Sequence, residues 1–301
     1  MTGWLGGWGI LYADVLVMAS LSQIAGSYTF QLFGATSAAS SRLWVGVAGV
    51  VWIVLMSAIC YVGIEASART QWFLLAAEVV VLAVFAVVAL AKVWTGHPLG
   101  AVHPAWEWLN PFGIKSFAGL NSGLLLAIFI YWGWDTAVSV NEETEDASRT
   151  PGRAAVVSTF LLLGIYLVVS IAAQAYHGVG FLNKNSSDVL SALGKDVLGS
   201  PWDKLLIIAV LTSASASTQT TILPTTRATL AMATHGAIPK HFARIHPRFL
   251  TPSASTIWMA IASIACFLTL NSVSSNILAD SVTATGLGIA FYYGQIGRAH
   301  V

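Results

Sequence analysis

Charge is what this sequence has least of. Only 9% of its 301 residues are Asp, Glu, Lys or Arg, against roughly 25% in a soluble domain. So few charges cannot cover a water-facing surface, which excludes an ordinary soluble globular protein. Net charge is +1, so nothing in the charge balance points to nucleic-acid binding. The two cysteines, Cys60 and Cys266, lie inside separate apolar runs, where they read as packing residues and not as a disulfide pair. There is no Walker loop, no HExxH and no paired CxxC. His235, His241 and His246 share one loop, but at no zinc-ligand spacing, and they read as solvated loop residues.

Apolar residues are abundant, at 56%, with a mean hydropathy of +0.74. A spanning helix takes roughly 20 mostly apolar residues. Eight segments qualify: 9–33, 43–64, 72–91, 117–140, 154–177, 205–226, 253–270 and 277–294. At about 21 residues each they use about 170 residues, too many to leave room for a separate soluble domain. Runs such as Val79-Val80-Val81-Leu82 are apolar at every position, whereas barrel strands alternate. The expectation is an all-α integral membrane protein with about eight spans and the lipid bilayer as its surroundings. No basic region precedes the first span, so no cleavable signal peptide is expected. Asn185-Ser186-Ser187 has the form of a glycosylation sequon, at chance level in a single sequence.

With eight spans, connections 65–71, 141–153 and 227–252 share one side. They carry Arg69, Arg149, Arg153, Arg227, Lys240, Arg244 and Arg248, while the opposite loops carry Arg42 and five lysines. The arginine bias places the first set in the cytoplasm.

Polar side chains in hydrocarbon are costly, so their placement is informative. Ser20, Gln23, Ser27 and Gln31 fall on one helical stripe, which fits either a wall of a substrate path or interhelical hydrogen bonding. Asp14 lies off that stripe, near one end, and is expected to snorkel or to pair. In the fourth span, Phe129-Ile130-Tyr131-Trp132-Gly133-Trp134-Asp135 puts a glycine between aromatics ahead of a carboxylate. It reads as an unwound helix facing a cavity or as an interfacial aromatic belt. The run Thr212 to Thr221 is too rich in hydroxyls for a lipid-facing surface. It either borders a transport path or packs tightly. Glu78, mid-span, is a functional candidate or a protonated carboxyl bonded to a neighbouring helix.

Two segments carry a family resemblance. Tyr131-Trp132-Gly133-Trp134-Asp135, then Asn141-Glu142-Glu143 and Arg149-Thr150-Pro151-Gly152-Arg153-Ala154, resembles the broken sixth helix and following loop of the amino acid–polyamine–organocation (APC) superfamily of secondary transporters. Arg227-Ala228-Thr229-Leu230-Ala231-Met232-Ala233-Thr234-His235-Gly236-Ala237-Ile238-Pro239 resembles that superfamily's loop after helix eight. The resemblance aligns the eight spans with family helices three to ten of an inverted-repeat, leucine-transporter-like fold. It implies one permease domain over residues 1–294, lacking the family's first two and last helices, with Met1 an internal methionine. Residues 295–301 break the apolar pattern, and Ile296–Val301 can be encoded by a sequence resembling a library adapter, so they are expected to be a non-native tail.

What the resemblance implies is an amino acid permease and not an enzyme, working by alternating access on an amino acid or related amine in a bacterial-type plasma (inner) membrane. The alternative is a channel-like or structural multi-span subunit. Carried over residue by residue, the substrate-binding set is Ser20, Gln23, Phe129, Trp132, Gly133, Ser217 and Thr221, with Asp135 and Glu78 as gating or coupling groups. No cofactor is implied beyond a coupling ion, proton or sodium. Some proton-coupled relatives carry a lysine in the span that here holds Glu78. Substrate identity and oligomeric state are not legible.

Overall fold

The computed structural model describes residues 2–114, 116–186, 188–274 and 276–296. Every regular element among them is helical: α1 (Thr2–Leu32), α2 (Thr36–Ala39), α3 (Arg42–Val62), α4 (Ile64–Thr95), α5 (Phe117–Ile130), α6 (Asp135–Ser139), α7 (Thr150–Lys184), α8 (Val189–Val197), α9 (Lys204–Thr234), α10 (Ser253–Val273) and α11 (Ile277–Ile296). Seven segments are long and apolar enough to cross a membrane, counting α5, its break and α6 as one. The eighth expected span, α11, forms a 20-residue helix, but Asp280, its glycines and its hydroxyls keep it less apolar than the other seven. The proposed tail begins inside this helix, which includes Gln295 and Ile296; residues 297–301 lie outside the described residues.

Local chemistry sets the helix ends. The Ser116 hydroxyl accepts the Gly119 N–H at 3.0 Å at the start of α5, and Asp188 accepts the Ser191 N–H at the start of α8, both as N-caps. Pro151 occupies the first turn of α7, where a missing N–H costs nothing. The loop following α9 is closed by Gly236, at φ +73°. Its N–H bonds to the Ala233 carbonyl, and the Ala237 N–H bonds to that of Met232, a glycine-terminated Schellman ending. The glycine of the second family segment is thus a helix stop.

Helices α1 and α9 run through the centre, with α3, α10 and α11 packed around α1 and α4 against α9. The approach of α1 to α3 is backbone-close. A Cβ on Gly26 would stand 2.6 Å from the Val45 carbonyl oxygen, and one on Gly49 would stand 2.8 Å from that of Ser22. Small residues at such spacing let spanning helices touch without a hydrophobic driving force. Polar stitches join α4 to α9: Ser67 donates to Gln219 Oε1 at 3.2 Å and Gln71 to the Ala216 carbonyl at 2.6 Å. Cys60 and Cys266 are both free thiols, the first buried and the second half-buried.

The structure corrects three boundaries. The hydroxyl-rich span continues to Thr234, eight residues past its expected end at 226, because nothing before Gly236 stops it. The fifth span reaches Lys184 through a kink at Gly178, φ +72°. The polar loop after it contains α8, whose Leu193 and Val197 are buried in the core beside Phe85 and Leu206.

Candidate transport cavity

The predicted interruption is present. Helix α5 stops at Ile130 and α6 starts at Asp135. Between them the Trp132 N–H bonds only three residues back, to Phe129, and the Thr136 N–H to Gly133. Gly133 has φ +110°, in the half of conformational space that non-glycine residues rarely enter. Tyr166 of α7 donates to the Ile130 carbonyl at 3.0 Å, so one carbonyl at the break finds a side-chain partner.

The break opens onto a cavity of about 210 Å³. Its walls are Asp14, Val17 and Leu21 of α1; Phe129, Ile130, Trp132, Gly133, Asp135 and Thr136 of the broken segment; Tyr166; and Ser217, Thr220, Thr221 and Pro224 of α9. Of the expected residues, the fold thus brings Phe129, Trp132, Gly133, Asp135, Ser217 and Thr221 together. It does not bring Ser20 there. That hydroxyl is buried and donates to the Val17 carbonyl of its own helix at 2.9 Å, because the face of α1 turned to the break is the one bearing Asp14, Val17 and Leu21. Gln23 lies with Ser27, Tyr28 and Gln31 along a separate open cavity of about 610 Å³ near Asp188 and Lys195. Three members of the polar stripe do line a cavity, but at one end of the molecule. Glu78 lines a third cavity, of about 220 Å³, with Ser213 of α9 opposite.

These spaces adjoin. The cavity of Glu78 shares Leu21 and Ser217 with the one at the break, and Ile24 with the open one. A further cavity of about 750 Å³ shares Pro224 and lies among Ile10, Ser139, Asn141 and Arg227. Helix α9 lines all four in chain order, from Lys204 to Thr234, and α1 lines them in the reverse sense, from Gln31 to Ile10.

A hydrogen-bond chain holds the broken segment. Trp132 Nε1–H donates to the Tyr292 hydroxyl of α11, which donates to Asp135 Oδ2 at 2.8 Å. Beyond α6, Arg227 pairs with Glu143, Nη2 to Oε1 at 2.8 Å. The two segments that carry the family resemblance, the second of them helical as far as Thr234, therefore meet at one end of the molecule, as the alternation of spans requires.

Several of these groups escaped the sequence reading. Of the two expectations for Asp14, snorkelling fails and a partner is found: it is fully buried and bonded to Thr225 of α9. Tyr166 and Tyr292 come from segments that gave no local signal, and Thr136 directly follows the flagged Asp135 without having been singled out. Pro224 did give one, since a proline in a spanning helix leaves a carbonyl free.

The profile of the Amino acid permease family matches residues 1–294. The chain belongs to that family, within the APC superfamily. It is 26% identical over 293 residues to an uncharacterized transporter of Mycobacterium tuberculosis (strain ATCC 25618 / H37Rv), covering 97% of this chain and 60% of that protein. It is 25% identical over 239 residues to "Cationic amino acid transporter 4, vacuolar" of Arabidopsis thaliana, covering 77% of this chain and 38% of that protein. It is 24% identical over 227 residues to "Methylthioribose transporter" of Bacillus subtilis (strain 168), covering 74% and 46%. The chain thus spans 60% or less of the length of each of these relatives. Family membership and the apolar helices make it an integral membrane protein.

Proposed function

We propose that the chain is the transport domain of a secondary active permease for amino acids or related amines, working by alternating access in a bacterial-type plasma membrane. The observation that carries this reading is the file of adjoining cavities along α1 and α9, narrowed at the break where Gly133 lies. A path divided at mid-depth by an unwound helix suits a site reached from one side at a time. The arginine-bearing end, with Glu143 and Arg227, faces the cytoplasm in this reading.

The walls also bear on the substrate. The central cavity is lined by two acidic side chains, Asp14 and Asp135, by five hydroxyl side chains from Thr136, Tyr166, Ser217, Thr220 and Thr221, and, among the described residues, by no Lys, Arg or His. Such a lining favours a donor-rich, positively charged group such as a primary ammonium, with Phe129 and Trp132 against apolar parts or the cation face. Ser20 and Gln23 act indirectly in this reading, Gln23 at the outer cavity and Ser20 through the backbone of α1. Residues 1–294 form the domain and 295–301 remain a proposed non-native tail.

Uptake into proteoliposomes tests the proposal, with a panel of neutral and cationic amino acids, a polyamine and methylthioribose. Saturable uptake, with counterflow of an unlabelled substrate, is expected for an amine or amino acid. Unsaturable flux would favour a channel, and no flux for any compound a structural subunit.

A further inference from the structure

Protons can be counted around the two carboxylates of the central cavity. Tyr292 donates to Asp135 Oδ2 and receives from Trp132 Nε1–H, so every contact there is satisfied with Asp135 ionised. The count differs at Asp14. The Thr225 Oγ1 lies 2.9 Å from the Thr221 carbonyl oxygen and also within hydrogen-bond reach of Asp14 Oδ2. A hydroxyl has one proton, and a carbonyl can only accept. If Thr225 gives its proton to Thr221, the contact with Asp14 is a hydrogen bond only when Asp14 supplies the proton. The carboxyl is completely buried, its Oδ1 has no hydrogen-bond partner among the described residues, and Asp14 is one of the residues lining the cavity. Among the described residues no cationic side chain lines that cavity, and a charged, half-partnered carboxylate at this depth is costly.

We propose that Asp14 is the proton-binding site of the transport cycle, a carboxylic acid that donates to Thr225 in the conformation seen here. This rests on the transporter reading above. On release, the proton passes from Asp14 to water in the cavity. Rotation about the Thr225 Cβ–Oγ1 bond then turns the hydroxyl proton from the Thr221 carbonyl to the Asp14 carboxylate. No bond other than O–H is made or broken. Thr225 directly follows Pro224, and one turn before that proline Thr136 of α6 bonds the Thr220 carbonyl at 3.1 Å. Protonation on α1 is thereby tied to the turn of α9 that holds the broken helix.

The titratable neighbours have distinct roles. Asp135 of α6 shares the cavity, as does Tyr166 of α7, and Tyr292 of α11 is engaged with Asp135. Tyr293, also of α11, is the other phenol packed beside the same cluster. Helix α9 contributes Arg227, held by Glu143. Of the other helices packed on α1, α3 contributes Cys60, which faces the Gln219 carbonyl of α9, besides Tyr61 and Arg42 near its ends, and α10 contributes Cys266.

Infrared difference spectroscopy of the chain in bilayers, stepped through pH, reads the protonated acid directly and independently of transport. One carboxylic-acid component of the carbonyl band should be present in the wild type, be missing from Asp14→Asn, and persist in Asp135→Asn and in Glu78→Gln, the variants of the other two acids lining these cavities. In Thr225→Val, which removes the hydroxyl partner, the band should shift in frequency and titrate at a different pH. In wild-type proteoliposomes an inward proton gradient should stimulate uptake, and Asp14→Asn should reduce that stimulation by about tenfold. A spectrum of Asp14→Asn that keeps every wild-type component, loss of that component in Asp135→Asn or Glu78→Gln instead, or unchanged gradient stimulation in Asp14→Asn would overturn the proposal. Absence of any wild-type uptake would count against the transporter reading alone, since the band assignment stands by itself.

Discussion

The Thr136 hydroxyl of α6 donates to the Thr220 carbonyl of α9 at 3.1 Å, and Pro224 is the reason that carbonyl is free. In an α-helix it would receive the N–H four residues on, and proline has none. The short helix after the break is therefore docked by a defect in its neighbour. Thr136→Val should destabilise the fold by about 1–2 kcal/mol, the cost of leaving a part-buried carbonyl unpaired. In a Pro224→Ala background the amide returns, and the same substitution should be nearly neutral. Chemical unfolding in mixed micelles gives the cycle; equal costs in both backgrounds would show that the bond does not matter.

The contact between α1 and α3 has no room to spare. A methyl on Gly26 would meet the Val45 carbonyl at 2.6 Å, and backbone cannot step aside as a side chain can. Gly26→Ala should cost about 1–3 kcal/mol, as overpacking does. A methyl on Gly164, within α7, would meet nothing within 4 Å, so Gly164→Ala should gain up to about 1 kcal/mol from helix propensity. Thermal unfolding of both variants should move in opposite directions, and a shared direction would discount the close approach.

The ion pair of Glu143 with Arg227 closes the arginine-bearing end. Its side chains are 33% and 13% exposed, so solvent screening leaves at most about 1 kcal/mol of stability. Its effect should lie in opening. A cysteine at Ser139, which lines the inner cavity, should react faster with an impermeant thiol reagent once Glu143→Gln removes the pair. Exchanging the two charges, Glu143→Arg with Arg227→Glu, should slow it again. Equal rates in all three would mean that the pair does not control access.

Periodicity and composition made the helices, the break and the shared side of the two resembling loops legible, because each follows from local rules: apolar runs of bilayer length, glycine between aromatics, alternation of spans. Sequence placed Phe129, Trp132, Asp135, Ser217 and Thr221 near one another only through the family resemblance. The rotation of α1 was out of reach. Ser20 and Asp14 differ by six residues, and which face meets α9 depends on Gly26 and Gly49 fixing the approach of α3. A stripe of Ser20, Gln23, Ser27 and Gln31 looked like a single wall, yet Ser20 is spent on its own backbone and the other three serve an outer cavity. Tyr292 became visible only when α11 was seen packed on α1.

The relay from Trp132 through Tyr292 to Asp135 gives the last expectation. Asp135→Asn keeps the shape and can still accept from the Tyr292 hydroxyl through its amide oxygen, so the break should persist and the protein should fold. What is lost is a group that ionises. In the wild type the carboxylate is consumed as pH falls, giving uptake an acid limb; with Asn that limb should flatten, with uptake of a cationic substrate lower than wild type above the limb and converging with it at the acid end. Tyr292→Phe should keep the limb but displace it, because the carboxylate loses its phenol donor while remaining titratable. Uptake against pH at matched membrane expression distinguishes the three proteins. Superimposable profiles for the wild type and Asp135→Asn would reject a titrating role, and loss of expression in Asp135→Asn would make the carboxylate structural.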